Sequence, residues 1–92
     1  MLTEADARAL VSERIANFGE EGPASWTPTI TRVQPFSRGW LVFYGPAEQD
    51  VSLAGNAPFL VDSATGAVLP TGTAMPVEHY IENYLRTGDP QG

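Results

Sequence analysis

Pro58-Phe59-Leu60-Val61-Asp62-Ser63-Ala64-Thr65-Gly66-Ala67-Val68-Leu69 decides the fold. Two short apolar runs flank a polar tetrad, and Gly66 can take the positive φ that a hairpin loop needs. The stretch predicts a β-hairpin. Its Asp-x-x-Thr-Gly spacing loosely resembles a phosphorylatable aspartate motif. A turn in which Asp62 and Thr65 bond the local backbone accounts for the same residues more simply.

Upstream, Trp40-Leu41-Val42-Phe43-Tyr44 is an aromatic and apolar run of strand length with apolar residues on both faces, which predicts a central strand. Ser37-Arg38-Gly39 forms a short turn before it. Residues 26–36 carry the β-branched Thr29, Ile30, Thr31 and Val33 between Pro28 and Pro35. Each proline removes a ladder donor, so this strand is expected at an edge. Between the central strand and the hairpin, Gly45 to Ala57 is longer than the usual hairpin connection, and long loops often carry function.

Two helices are predicted outside this block. Thr3 and Asp6 suit a capping box, and Ala7, Leu10, Val11, Ile15 and Phe18 then recur at helical spacing up to Gly19. Near the other end, Pro76 suits a first helical turn, Val77, Tyr80, Ile81, Tyr84 and Leu85 share one face, and Gly88 is a natural stop. The connections between strands are too short for crossover helices, so the strands are expected antiparallel. The fold class is therefore α+β: an N-terminal helix, a four-stranded antiparallel sheet with a C-terminal hairpin, then a second helix packed with it, the helices lying against a face of the sheet. One domain over residues 1–88 is expected, with 89–92 as a mobile tail that has nothing to bury.

Composition limits the function classes. At 92 residues there is room for one modest core. There is no cysteine, so disulfides and thiol chemistry are excluded. No lysine is present, and with it go the usual phosphate-binding loops. Eleven acids against five bases give a charge of −6, which disfavours nucleic acid as a partner. The same charge serves solubility, and it would also speed encounter with a basic protein. The opening residues lack the charge and apolar run of an export signal, and no stretch is long enough to span a membrane. The expected location is cytoplasmic, with no membrane partner.

No set of reactive residues is legible. The one histidine, His79, falls between Glu78 and Tyr80, off the apolar stripe of the second helix, and a catalytic triad or a zinc site would need partners that the spacing does not supply. Glu20 with Glu21 and Glu48 with Asp50 sit in polar stretches, where solvated acids are the ordinary state. The chain is expected to be a binding protein rather than an enzyme, with no cofactor and no metal. Trp40 and Tyr44 share a strand face with Val42 and could form a binding platform, although core packing is the commoner reason for such a stripe. Candidate partner-binding residues are Glu48, Asp50 and Asn56 in the long loop, with Tyr44 beside it.

In order, Gly39-Trp40-Leu41-Val42-Phe43-Tyr44, the segment from Leu53 to Asp62, Thr65-Gly66, Thr71-Gly72-Thr73 and Tyr80-Ile81-Glu82-Asn83-Tyr84 resemble the immunity protein 35 family, also called YrhB-like. The opening Leu2 to Arg8 is similar to the start of that family's first helix. The motif positions fall at Trp40, Gly55, Asn56, Pro58, Asp62, Gly66, Gly72 and Thr73, most of them architectural. The resemblance implies an antidote in a bacterial polymorphic toxin system, binding and neutralising a cognate toxin by protein contact. A small chaperone or holdase is the alternative that the same resemblance implies. The Val-Asp-x-x-Thr-Gly hairpin also looks like that of PepSY domains, which would imply a peptidase inhibitor. A monomer is expected in preference to a homodimer, because Pro28 and Pro35 blunt the exposed strand edge.

Overall fold

The computed structural model describes residues 1–18, 26–48 and 57–92. The order is α1 (Glu4–Ile15), β1 (Pro28–Phe36), β2 (Gly39–Pro46), β3 (Phe59–Asp62), β4 (Val68–Pro70) and α2 (Val77–Thr87). The four strands form one antiparallel sheet in sequence order. The expected hairpin is β3–β4, the expected central strand is β2, and β1 lies at an edge.

Local chemistry explains the boundaries. Thr3 caps α1 in a reciprocal box: its N–H donates to Asp6 Oδ2 at 2.9 Å, and the Asp6 N–H donates to Thr3 Oγ1 at 3.2 Å. The helix stops at Ile15, sooner than the apolar spacing suggested, and Phe18 stands beyond it, partly exposed. Along β1 the partners jump from Ile30↔Tyr44 to Arg32↔Phe43, so Thr31 is an extra residue, a bulge that bends the edge strand. Gly66 takes φ +75° in the β3–β4 turn, a conformation with little steric cost only for glycine. At Gly39 any Cβ would collide with the backbone carbonyl of Val61. This position admits nothing larger, because β2 and β3 must pair there.

Alternation divides the core into two layers. Val42, Phe59 and Val61 pack with Ala7, Val11 and Ile15 of α1, joined by Trp40, Tyr44 and Val68. On the other side Leu41 and Leu60 pack with Tyr84 of α2, joined by Phe43, Leu69, Val77 and Ile81. The helices thus cover opposite faces of the sheet, not one shared face. Apolar residues on both faces of β2 require this, since each fully buried Val, Leu or Ile contributes about 1.5–3 kcal/mol only if its own side is covered. Leu85, assigned to the apolar stripe of α2, is 44% exposed.

The C-terminal residues depart from expectation too. Pro90 is fully buried, Asn83 Nδ2 donates to its carbonyl at 3.0 Å, and Gln91 Nε2 donates to the Pro70 carbonyl at 3.1 Å. Residues 89–92 fold back on α2 and β4 instead of extending as a tail with nothing to bury. Among the described residues no helix is long and apolar enough to cross a membrane.

Candidate functional site

β2 delivers Tyr44 to the end of the sheet where α1 finishes. Its ring stacks on Phe59 (centroids 5.7 Å apart, planes 24°) and meets Phe18 edge-on at 5.7 Å. Arg14 places its guanidinium 5.5 Å from the Phe59 centroid. Phe59 is buried, Tyr44 half-buried and Phe18 36% exposed, so the cluster grades from core to surface. Burial pushes the Tyr44 hydroxyl above its ordinary pKa. The platform and core readings of Tyr44 therefore meet in one residue: one ring face closes the core, while the cluster it joins opens outward through Phe18.

Glu48 lies at the same end. Its two carboxylate oxygens accept from the Thr27 N–H and from Thr27 Oγ1, both at 2.7 Å, while the Ala47 N–H donates to the Thr27 carbonyl at 2.8 Å. These bonds clasp the open end of the β1–β2 hairpin. The Thr27 backbone N–H first, and its hydroxyl second, hold the Glu48 carboxyl below the usual carboxylate range. Glu48 therefore carries its negative charge at this end of the sheet while both its oxygens serve the fold. Asp50 and Asn56, the other two candidate partner-binding residues, lie outside the described residues, as do Gly55, Glu20 and Glu21.

On the α2 face, sequence reading placed Asp62 in a turn and missed its larger role. Asp62 Oδ1 accepts from the N–H groups of Ala64 (2.8 Å) and Thr65 (3.1 Å), as a turn requires. Oδ2 reaches further: it accepts from the Tyr84 hydroxyl and from Arg38 Nη2 at 3.3 Å. Arg38 also lies 5.3 Å from the Tyr84 ring centroid. Hydrogen bonding from Tyr84 outweighs burial and, helped by the two backbone donors and the Arg38 charge, keeps the Asp62 carboxyl below its ordinary pKa. Asp62 is 1% exposed with every acceptor site used, so it joins the β1–β2 turn, β3 and α2 and presents nothing to a ligand. Its position two residues after Leu60 was the available signal, because alternation buries both on one face.

Two further motif positions, Pro58 and Gly72, are packed into the fold. Pro58 is buried, its carbonyl accepting from Thr71 Oγ1 at 2.6 Å, and Gly72 lies against the Tyr80 ring, whereas Thr73 is exposed. His79 is exposed on α2 with Nε2 3.3 Å from Asn83 Nδ2. Among the described residues no group of three or more His, Asp or Glu stands close enough to hold a metal ion. A shallow groove of about 380 Å³ runs between α1 and β4, lined by Leu10, Glu13, Arg14 and Val68. Arg14 joins this groove to the aromatic cluster.

Over 61 residues the chain is 38% identical to a protein of Escherichia coli (strain K12) that bears the name uncharacterized protein YrhB. The matched stretch covers 60% of this chain and 65% of that protein. The chain thus spans just under two thirds of the curated relative's length. No family model matches the chain, and no solved structure does.

Proposed function

We propose that this chain is an immunity protein, which binds a cognate bacterial toxin of basic charge in the cytoplasm and neutralises it by contact, without turnover. The observation that carries this reading is the Phe18–Tyr44–Phe59 cluster with Arg14, anchored in the core yet open at its outer end. Aromatic residues and arginine, rigidly held and rimmed by polar groups, are the residues that dominate interface energetics. The Glu48 carboxylate at the same end of the sheet and the charge of −6 favour encounter with a positively charged surface. The ordered resemblance to the immunity protein 35 family implies the same role.

A holdase would instead need one broad apolar surface. Among the described residues the exposed large apolar side chains, Met1, Phe18, Met75 and Leu85, sit on different segments.

The test is genetic and biochemical together. Expression of the neighbouring open reading frame alone is expected to arrest growth, and co-expression of this chain to restore it, with the two products purifying as a complex. Replacing Phe18, the exposed member of the cluster, by Ala is expected to weaken that complex by about 1–3 kcal/mol while leaving the fold intact. A neighbouring product that is harmless alone, or rescue without any stable complex, would contradict the proposal.

A further inference from the structure

The sheet has two edges, and they are not equivalent. β1 carries Pro28 and Pro35, which have no N–H, and its ladder shifts register between Ile30 and Arg32. Such features blunt an edge against strand addition. β4 has a proline only at its last position. The Asp62 N–H donates to the Ala67 carbonyl at 3.0 Å and the Thr71 N–H to the Pro58 carbonyl at 3.3 Å, so Ala67 and Thr71 face β3. By the alternation of antiparallel ladders Leu69 does as well, and the N–H and C=O of Val68 and the carbonyl of Pro70 point outward. Gln91 meets the Pro70 carbonyl. Neither backbone group of Val68 finds a partner on that outer side among the described residues.

The groove beside this edge has matching chemistry. Leu10 and Val68 give it an apolar floor and wall. Arg14 is turned over the Phe59 ring. Glu13, exposed on α1, has no ion-pair partner among the described residues, where the pairs are Arg8–Glu4 and Arg38–Asp62. An occupant of this surface therefore needs a backbone able to exchange hydrogen bonds with Val68, an apolar side chain, and a positive charge for Glu13.

We propose that β4 receives an extended segment of a partner protein as a fifth strand, with an apolar side chain set against Leu10 and Val68 and a basic side chain, two residues along on the same face, on Glu13. Main-chain bonds supply affinity in such additions, and alternate side chains supply selectivity. The segment is basic because it meets an unpaired carboxylate on a chain of charge −6. This inference rests on the protein-binding reading above and adds the mode of contact.

Two probes separate it from that reading: the product of the neighbouring open reading frame, and a capped octapeptide alternating threonine with valine and lysine. Amide hydrogen exchange is followed by NMR on the full chain. The Val68 N–H is expected to exchange rapidly in the free protein and to become protected with either probe. Glu13→Arg is expected to weaken binding about three- to tenfold, and Val68→Pro, which removes the outward N–H and spares the ladder to β3, by a similar or larger factor. Circular dichroism checks that both variants fold. If the neighbouring product binds tightly while Val68 exchanges as in the free chain, strand addition is wrong and the antidote reading survives. If the peptide protects Val68 and the neighbouring product does not bind, strand addition stands and the antidote reading falls. Equal binding by a peptide with glutamate in place of lysine, or by an N-methylated peptide, would overturn the proposal. So would concentration-dependent protection of Val68 with no probe present, which would assign the edge to a second copy of this chain.

Discussion

Asp62 shows how one side chain can hold three elements at once. Its carboxylate is buried, and it is tolerated there because two backbone N–H groups, a phenol and a guanidinium all donate to it. A carboxyl whose folded pKa lies below its unfolded value adds stability that is fully present above the unfolded value, about 3.9 for Asp, and is lost as pH falls through the folded value. Asp62 and Glu48 both have this sign. Tyr84 has the opposite one: burial first, and bonding to Asp62 second, raise its pKa, so its contribution is complete below about pH 10 and lost as pH rises through the raised value. Tyr84→Phe is expected to cost about 1–2 kcal/mol at neutral pH. Because it removes the main cause of the Asp62 shift, it should also flatten the loss of stability on the acid side. Urea unfolding of both proteins at a series of pH values measures this, and an acid limb of unchanged slope would show that Tyr84 does not set the Asp62 pKa.

At the scale of elements, the docked C-terminus makes the sharpest prediction. Removing residues 89–92 would expose the surface that Pro90 covers and free Asn83 Nδ2 from the Pro90 carbonyl. Truncation after Gly88 is therefore expected to cost about 1–2 kcal/mol, lowering Tm by several degrees in a thermal melt, whereas removal of an undocked tail would leave Tm unchanged. Local sequence could not reveal that docking, because it depends on an asparagine reaching across a helix end. The elements whose causes are local were legible: the β3–β4 hairpin from Gly66 and its flanking apolar runs, β1 as an edge from its prolines, α1 from the Thr3–Asp6 box. Placement of the helices needed one further step. Trp40, Val42 and Tyr44 alternate with Leu41 and Phe43, so both faces of β2 ask for cover, and two helices on one face leave the other bare. The candidate site was legible only in part. Tyr44 was visible as an aromatic at a strand end, but Phe18 and Phe59 reach it from distant segments, and the acid of Glu48 was visible while its clasp on Thr27 was not.

For the whole molecule, the sum of charge governs approach and its distribution governs contact. All five arginines make contacts within the molecule: Arg8 with Glu4, Arg38 with Asp62, Arg32 over Phe43, Arg14 over Phe59 and Arg86 with Asn83. Acids such as Glu13, Glu78 and Glu82 remain exposed, and the net charge of −6 makes the long-range field of the molecule negative. A field of that kind accelerates approach of a basic partner over distances comparable to the Debye length, and salt screens it, while contacts sealed inside an interface are screened far less. Raising ionic strength from about 0.01 to 0.15 M shortens that length from about 30 to 8 Å. The association rate with the basic neighbouring product is accordingly expected to fall about tenfold over this range, with the dissociation rate nearly constant, in stopped-flow or surface-binding kinetics. Should the dissociation rate carry the change instead, salt-accessible ion pairs at the rim of the contact, such as one to Glu13, would hold the complex together more than the aromatic cluster and the β4 backbone do.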